Sequence, residues 1–184
     1  MKQFRIGILE QHWASKNPND LTDLCSHGQI ELMIGNEVIS NENDDDWTLS
    51  TSGLMLLRTL NLNHTGDGTM PLILHCGMLS MLSCPICIDW KIEHLNNQVL
   101  ISEVKKFPST NEKEVIKYSM TDVIIDRTNY LREVIRYCDT VKYFFKDKPR
   151  TFTDPYSEKE WNSFWSEFDK LLKKGRSELK NKNT

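Results

Sequence analysis

Cys84 and Cys87, separated by two residues, form the first pair in the chain whose spacing suits redox or metal chemistry. In a thioredoxin-type site such a pair opens a helix, whose N-terminus lowers the thiol pKa. Here apolar and polar residues alternate from Cys87 to His94, which predicts a strand instead. In an extended backbone, residues three apart point to opposite faces. We therefore interpret both cysteines as framework side chains.

His75 and Cys76 extend this pair to four potential zinc ligands, together with Cys84 and Cys87. Structural zinc sites normally use two such pairs, whereas this chain has one C-x-x-C, and the neighbours His75 and Cys76 are expected to diverge. We therefore expect no metal and no other cofactor. A thiol- or zinc-dependent enzyme centred on these four residues remains the alternative.

A cysteine nucleophile paired with a histidine base is a second arrangement to consider, using Cys25 or Cys76 with His27 or His75. No motif supports it, and cysteine is among the residue types most often buried. The five histidines form neither H-x-x-x-H nor H-E-x-x-H, and no phosphate-binding loop is present. We assign no catalytic residue, and the sequence favours a non-enzymatic protein.

An acidic loop is the most distinctive polar segment, and it contains Glu42, Asp44, Asp45, Asp46 and Trp47. Such a loop suits a basic cleft on a partner protein, with fast, salt-sensitive association and the tryptophan as an anchor. The alternative is a solvated loop whose tryptophan folds back against the following helix. We predict these five residues as the partner-binding site and keep the alternative open.

Charge and composition exclude several classes of protein. The 23 Lys and Arg against 26 Asp and Glu argue against a general nucleic-acid binder, which needs a strong basic excess. Residues 1–145 carry 13 basic and 19 acidic side chains, so the negative charge lies in the body. Five cysteines, an odd number, and an N-terminus without an apolar signal segment predict reduced thiols in the cytoplasm.

One segment, residues 68–88, has no charged side chain and is long enough to span a membrane. Pro71, His75 and Pro85 interrupt it and would leave polar groups and a broken helix in lipid. We therefore interpret it as buried strands with a loop and expect no membrane association.

Hydrophobic periodicity predicts the elements that position these residues. Strands are expected at 4–8, 29–34, 37–40, 72–75, 86–94, 99–106 and within 115–125, a short helix after Asp20, and a helix from Ser50 to about Asn61. Gly35 and Asn36, and further on Asn96 and Asn97, suit hairpin turns. Tight turns between consecutive strands indicate antiparallel pairing.

Two long helices are expected at the C-terminal end, from Asp126 to about Lys146 and from Pro155 onward. Ser157 and Glu160 have capping-box spacing, and we expect fraying beyond Lys173. The fold class is therefore α+β: an antiparallel sheet of about five to six strands packed against helices. We predict one domain over 1–184, with a body at 1–146 and a helical arm at 150–180.

Three segments resemble uncharacterised small bacterial proteins, namely 24–28 (LCSHG), 46–48 (DWT) and 75–77 (HCG). In size, acidic body and lack of a catalytic frame, the chain also resembles bacterial toxin-immunity proteins, including those of contact-dependent inhibition systems. This resemblance implies a non-enzymatic cytoplasmic binding protein that blocks a cognate toxin domain, or another basic protein partner, through its acidic surface.

Overall fold

The computed structural model describes residues 4–79, 81–82, 84–111 and 114–181, so the two ends of the predicted domain lie outside the described residues. The strands are β1 (Phe4–Ile8), β2 (His27–Gly28), β3 (Ile30–Ile34), β4 (Glu37–Ser40), β5 (Trp47–Thr48), β6 (Ile73–Leu74), β7 (Gly77–Met78), β8 (Met81–Leu82), β9 (Cys87–Leu95), β10 (Gln98–Phe107), β11 (Ile116–Lys117) and β12 (Val123–Asp126). The helices are α1 (Leu49–Arg58), α2 (Arg127–Phe144) and α3 (Pro155–Asn181). The α+β class and the two long C-terminal helices are confirmed.

The largest sheet has five strands, within the predicted range, and is built on the long β9–β10 hairpin. β6 pairs with β9, while β11 and β12 both pair with β10. A separate antiparallel sheet has the order β1-β3-β4, and the short pairs β2–β5 and β7–β8 complete the strands. Asn96 closes the β9–β10 turn with a φ of 55°, the left-handed conformation that Asn tolerates.

Helix α1 is the centre of the core, because nearly all of its residues are buried between the other helices and β6. Close packing depends on two glycines: a Cβ on Gly53 would lie 3.1 Å from Phe168, and one on Gly175 would lie 2.8 Å from Leu60. Helix α2 begins as predicted, with the Asp126 carboxylate accepting backbone N–H groups of the first turn.

Three helix predictions are wrong: the short helix after Asp20, the fraying beyond Lys173 and the capping box of α3. Asp20 does accept backbone N–H bonds from Thr22 and Asp23, but they cap a turn and no helix follows. Helix α3 continues to Asn181 rather than fraying, because ion pairs to α2 hold its last turns. Its cap is Asp154, whose carboxylate accepts the N–H of Ser157, instead of the predicted capping box.

The described residues of the uncharged segment 68–88 include β6, β7, β8 and the start of β9. Among the described residues, no helix combines the length and the apolar character that crossing a membrane requires. The strand interpretation of this segment is confirmed.

Candidate functional site

Three of the four potential zinc ligands come together around the short hairpin β7–β8. His75 and Cys76 lie in the bend just before β7, and Cys84 follows β8, so they bracket the hairpin in sequence. One ligand atom from each residue lies within 4.8 Å of the other two. Among the described residues, this is the single group of three or more metal-binding side chains that meets this distance.

The expectation that His75 and Cys76 would diverge is wrong because their backbone is not extended. Both residues occupy a bend between β6 and β7, where the alternation of a strand does not apply. The backbone N–H of His75 donates to the carbonyl of Ile86 at 3.2 Å, which holds the bend against the approach to β9. Cys84 lies on that same approach.

The distance between Cys84 and His75 fits a shared metal ion. Sγ of Cys84 lies 3.6 Å from Nδ1 of His75. Zinc binds thiolate sulfur at about 2.3 Å and imidazole nitrogen at about 2.0–2.1 Å, so at a tetrahedral angle the two donors lie about 3.6 Å apart. The side chains thus already have nearly the separation that a tetrahedral ion needs.

Contacts with β5 hold the histidine in place. The hydroxyl of Thr48 donates to the carbonyl oxygen of His75 at 3.1 Å. The His75 ring meets the buried Trp47 ring edge-on, with ring centroids 6.4 Å apart and an interplanar angle of 88°. Backbone anchoring and ring packing restrict the imidazole, and restricted ligands lose less entropy when they bind a metal.

The site is reachable from solvent, because His75, Cys76 and Cys84 are all half-buried. Burial and the neighbouring Cys76 thiol raise the pKa of Cys84 above its ordinary value. A raised pKa disfavours a free thiolate nucleophile at neutral pH. A bound cation reverses this preference, because a metal-coordinated thiol is deprotonated.

Cys87, the fourth predicted ligand, lies outside the group. It is buried in β9, and burial followed by the charge of Asp89 raises the pKa of its thiol to about 12. The three-residue spacing had indicated that Cys84 and Cys87 would not share a site, and the position of Cys87 agrees with that interpretation.

Cys25, the other candidate nucleophile, is a core residue. Its side chain is buried, burial raises the pKa of its thiol, and its Sγ accepts the N–H of Leu79 at 3.1 Å. His27, its proposed base, pairs instead with Asp23 at 3.5 Å. The contacts of Cys25 are therefore structural: they join the segment before β2 to the turn after β7.

The acidic loop is largely engaged in contacts within the chain. Asp44 pairs with Lys106 at 2.5 Å, and Asp46 lies 3.2 Å from His12. Glu42 and Asp45 are exposed. Half of the predicted acidic surface is thus bound to the protein's own basic groups.

Trp47 is not the exposed anchor that the sequence suggested, and that part of the expectation is corrected. Its side chain is only 2% exposed, and its Nε1 donates to the hydroxyl of Ser40 at 3.1 Å. The tryptophan lies two residues before the start of α1 and packs into the core, as the alternative interpretation proposed. Whether the five loop residues bind a partner stays a prediction.

One buried carboxylate, that of Asp89, was not predicted from the sequence. Asp89, in β9, is fully buried, accepts the N–H of Gly68 at 2.9 Å and lies 2.7 Å from Nε2 of His64. These contacts attach the loop after α1 to the central hairpin. No local signal identifies them, because His64 and Asp89 are 25 residues apart and belong to no motif.

Comparison of the chain with protein-family models, curated proteins and solved structures gave no match. Function must therefore be inferred from the chemistry of the site itself.

Proposed function

We propose that the protein binds one zinc ion through His75 Nδ1 and the thiolates of Cys76 and Cys84. The observation that carries the proposal is the convergence of these three donor atoms within 4.8 Å of one another. His75 and Cys76 lie before β7, whereas Cys84 lies after β8. Sequence proximity explains why the donor atoms of His75 and Cys76 are close, but the approach of Cys84 to them depends on the fold.

The donor set selects the type of metal. Two thiolates and an imidazole are ligands for zinc and other borderline or soft ions, whereas calcium and magnesium require oxygen donors. The 3.6 Å separation of the Cys84 sulfur and the His75 nitrogen matches the separation in a tetrahedral zinc site. A tetrahedral set of sulfur and nitrogen ligands is typical of zinc.

Three protein ligands leave one position of a tetrahedron for another group. Structural zinc sites are closed by four protein ligands, whereas catalytic sites keep one position for water or substrate. Cys87 is buried and stands outside the group, so it does not supply a fourth ligand in this arrangement. We infer that a bound zinc ion would leave this fourth position to water or another small ligand, which the ion would make more acidic. Because this binding needs reduced cysteines, we propose a reducing compartment such as the cytoplasm for the protein.

Zinc titration of the reduced full-length chain tests the proposal. We expect one zinc per chain, and at least ~100-fold weaker binding in Cys84→Ser, because the variant loses a thiolate ligand. Cys87→Ser is the matched control, since Cys87 lies three residues away and outside the group, and its affinity should stay near that of the parent. Equal affinities in both variants and the parent would rule out this site.

A second candidate function is the toxin-immunity role, for which the exposed carboxylates of Glu42 and Asp45 provide the specific support. The partner to test is a toxin domain with a basic surface, sought first among the products of neighbouring reading frames. Binding that weakens about tenfold or more in the double variant Glu42→Gln, Asp45→Asn, and also weakens with salt, would support the role. Binding unaffected by both changes would exclude the acidic loop as the contact.

A further inference from the structure

We propose that Cys76 and Cys84 form a reversible oxidation site, at which a hydroperoxide converts the two thiols into a disulfide and displaces the metal. The metal-release part rests on the proposed zinc function, because the same two sulfurs hold the ion. The disulfide part depends only on the two thiols and their positions.

Proximity is the first observation. The donor atoms of Cys76 and Cys84 lie within 4.8 Å of each other, whereas a disulfide bond is about 2.05 Å long. Neither cysteine belongs to a strand: Cys76 lies in the bend before β7 and Cys84 in the segment after β8. Forming the bond therefore requires the two sulfurs to move closer, by side-chain rotation together with a shift of the bend or of the segment after β8.

Access separates these two cysteines from the other three. Both are half-buried, so a small oxidant reaches them. Cys25, Cys87 and Cys138 are at most 3% exposed. Because oxidation follows accessibility as well as thiolate character, the peroxide should act at the hairpin pair and spare the buried three.

The reaction balances in two steps. One cysteine, as its thiolate, attacks the terminal oxygen of the hydroperoxide, so that an S–O bond forms and the O–O bond breaks. The sulfur becomes a sulfenic acid, and the other oxygen leaves with the displaced proton as water or an alcohol. The second thiol then attacks that sulfur, the S–S bond forms, and its proton leaves with the hydroxyl group as water. Overall, two thiols are oxidised by two electrons and one peroxide is reduced.

Metal binding and disulfide formation exclude each other, because a sulfur in a disulfide has no thiolate charge to offer zinc. Oxidation therefore releases the ion, and a reducing thiol restores the site. In the opposite direction, bound zinc occupies both sulfurs and protects them. Zinc occupancy of the site would therefore fall under oxidising conditions and recover under reducing ones.

Hydrogen peroxide applied to the zinc-free and the zinc-loaded full-length chain tests the proposal, with peptide mapping by mass spectrometry and a chromogenic chelator for released zinc. We expect a Cys76–Cys84 cross-linked peptide, lighter by two hydrogen atoms and reversed by dithiothreitol. We expect formation at least ~10-fold slower in the zinc-loaded chain. Zinc release should accompany the cross-link.

Variants and outcomes separate the two proposals. Cys76→Ser and Cys84→Ser should abolish the cross-link, while Cys87→Ser should form it at the parent rate. Zinc binding without any Cys76–Cys84 cross-link, or oxidation that goes instead to Cys25, Cys87 or Cys138, would overturn the oxidation site and leave the zinc function standing. A cross-link in a chain that binds no zinc would support the thiol reaction and overturn both the metal release and the proposed function.

Discussion

Oδ1 of Asp44 lies 2.5 Å from Nζ of Lys106, which ties the acidic loop to strand β10. The same carboxylate accepts a hydrogen bond from the hydroxyl of Ser40, which also receives the indole N–H of Trp47. Lys106 thus neutralises the Asp44 carboxylate, and the Ser40 hydroxyl bonds both to that carboxylate and to the Trp47 indole. Through these contacts the Asp44 end of the loop joins β4, β5 and β10 and is not a free anionic surface.

Lys106→Met should lower the free energy of unfolding by about 1–3 kcal/mol, because it leaves the partly buried Asp44 carboxylate without its cation. Urea denaturation measures the change. Lys105→Met is the control: Lys105 pairs with the exposed Glu103, so the loss should be within about 0.5 kcal/mol. Equal stability of the two variants would show that the Asp44–Lys106 contact contributes no more than a surface pair.

Trp47→Ala should destabilise the chain by about 3–5 kcal/mol, because it removes a buried indole and leaves a cavity beside α1. Trp47→Phe should cost less, since it keeps most of the ring and loses the bond to Ser40. Tyr143→Ala, at a side chain 75% exposed, is the control and should change stability by under about 0.5 kcal/mol. Thermal unfolding that ranks Tyr143→Ala with Trp47→Ala would contradict the buried position of Trp47.

His64→Ala should lower the free energy of unfolding by about 3 kcal/mol. The buried Asp89 carboxylate has two described contacts, with His64 and with the N–H of Gly68, and the variant keeps only the second. The double variant His64→Ala, Asp89→Asn removes the stranded charge and should recover part of that loss. A double-mutant cycle on urea unfolding measures the coupling. Strictly additive effects would mean that the two side chains do not interact energetically.

The regular part of the fold was predictable, because local patterns specify it. Alternation between Cys87 and His94 predicts a strand, and the positive φ that Asn tolerates predicts the turn at Asn96. The 3.6-residue period that begins at Asp126 predicts α2. These features depend on neighbouring residues, whose types can be read directly from the chain.

The candidate site was not predictable in the same way. The rule that neighbouring side chains diverge applies to strands, and the bend at His75 and Cys76 exists because the chain turns there from β6 into β7. The pairing of Asp44 with Lys106 spans 62 residues, which no local pattern records. Long-range contacts of this kind determine which polar side chains are paired within the protein and which can still bind a metal or a partner.

Cobalt substitution tests the central claim most directly, because cobalt(II) reports both the geometry and the ligands of a zinc site. Adding one equivalent of cobalt to the reduced chain should give the intense visible bands of a tetrahedral ion and a near-ultraviolet thiolate-to-cobalt band. Zinc should remove both bands, Cys84→Ser should weaken the thiolate band, and Cys87→Ser should retain it. The weak spectrum of octahedral cobalt in the parent chain, or an unchanged thiolate band in Cys84→Ser, would contradict a metal site formed by His75, Cys76 and Cys84.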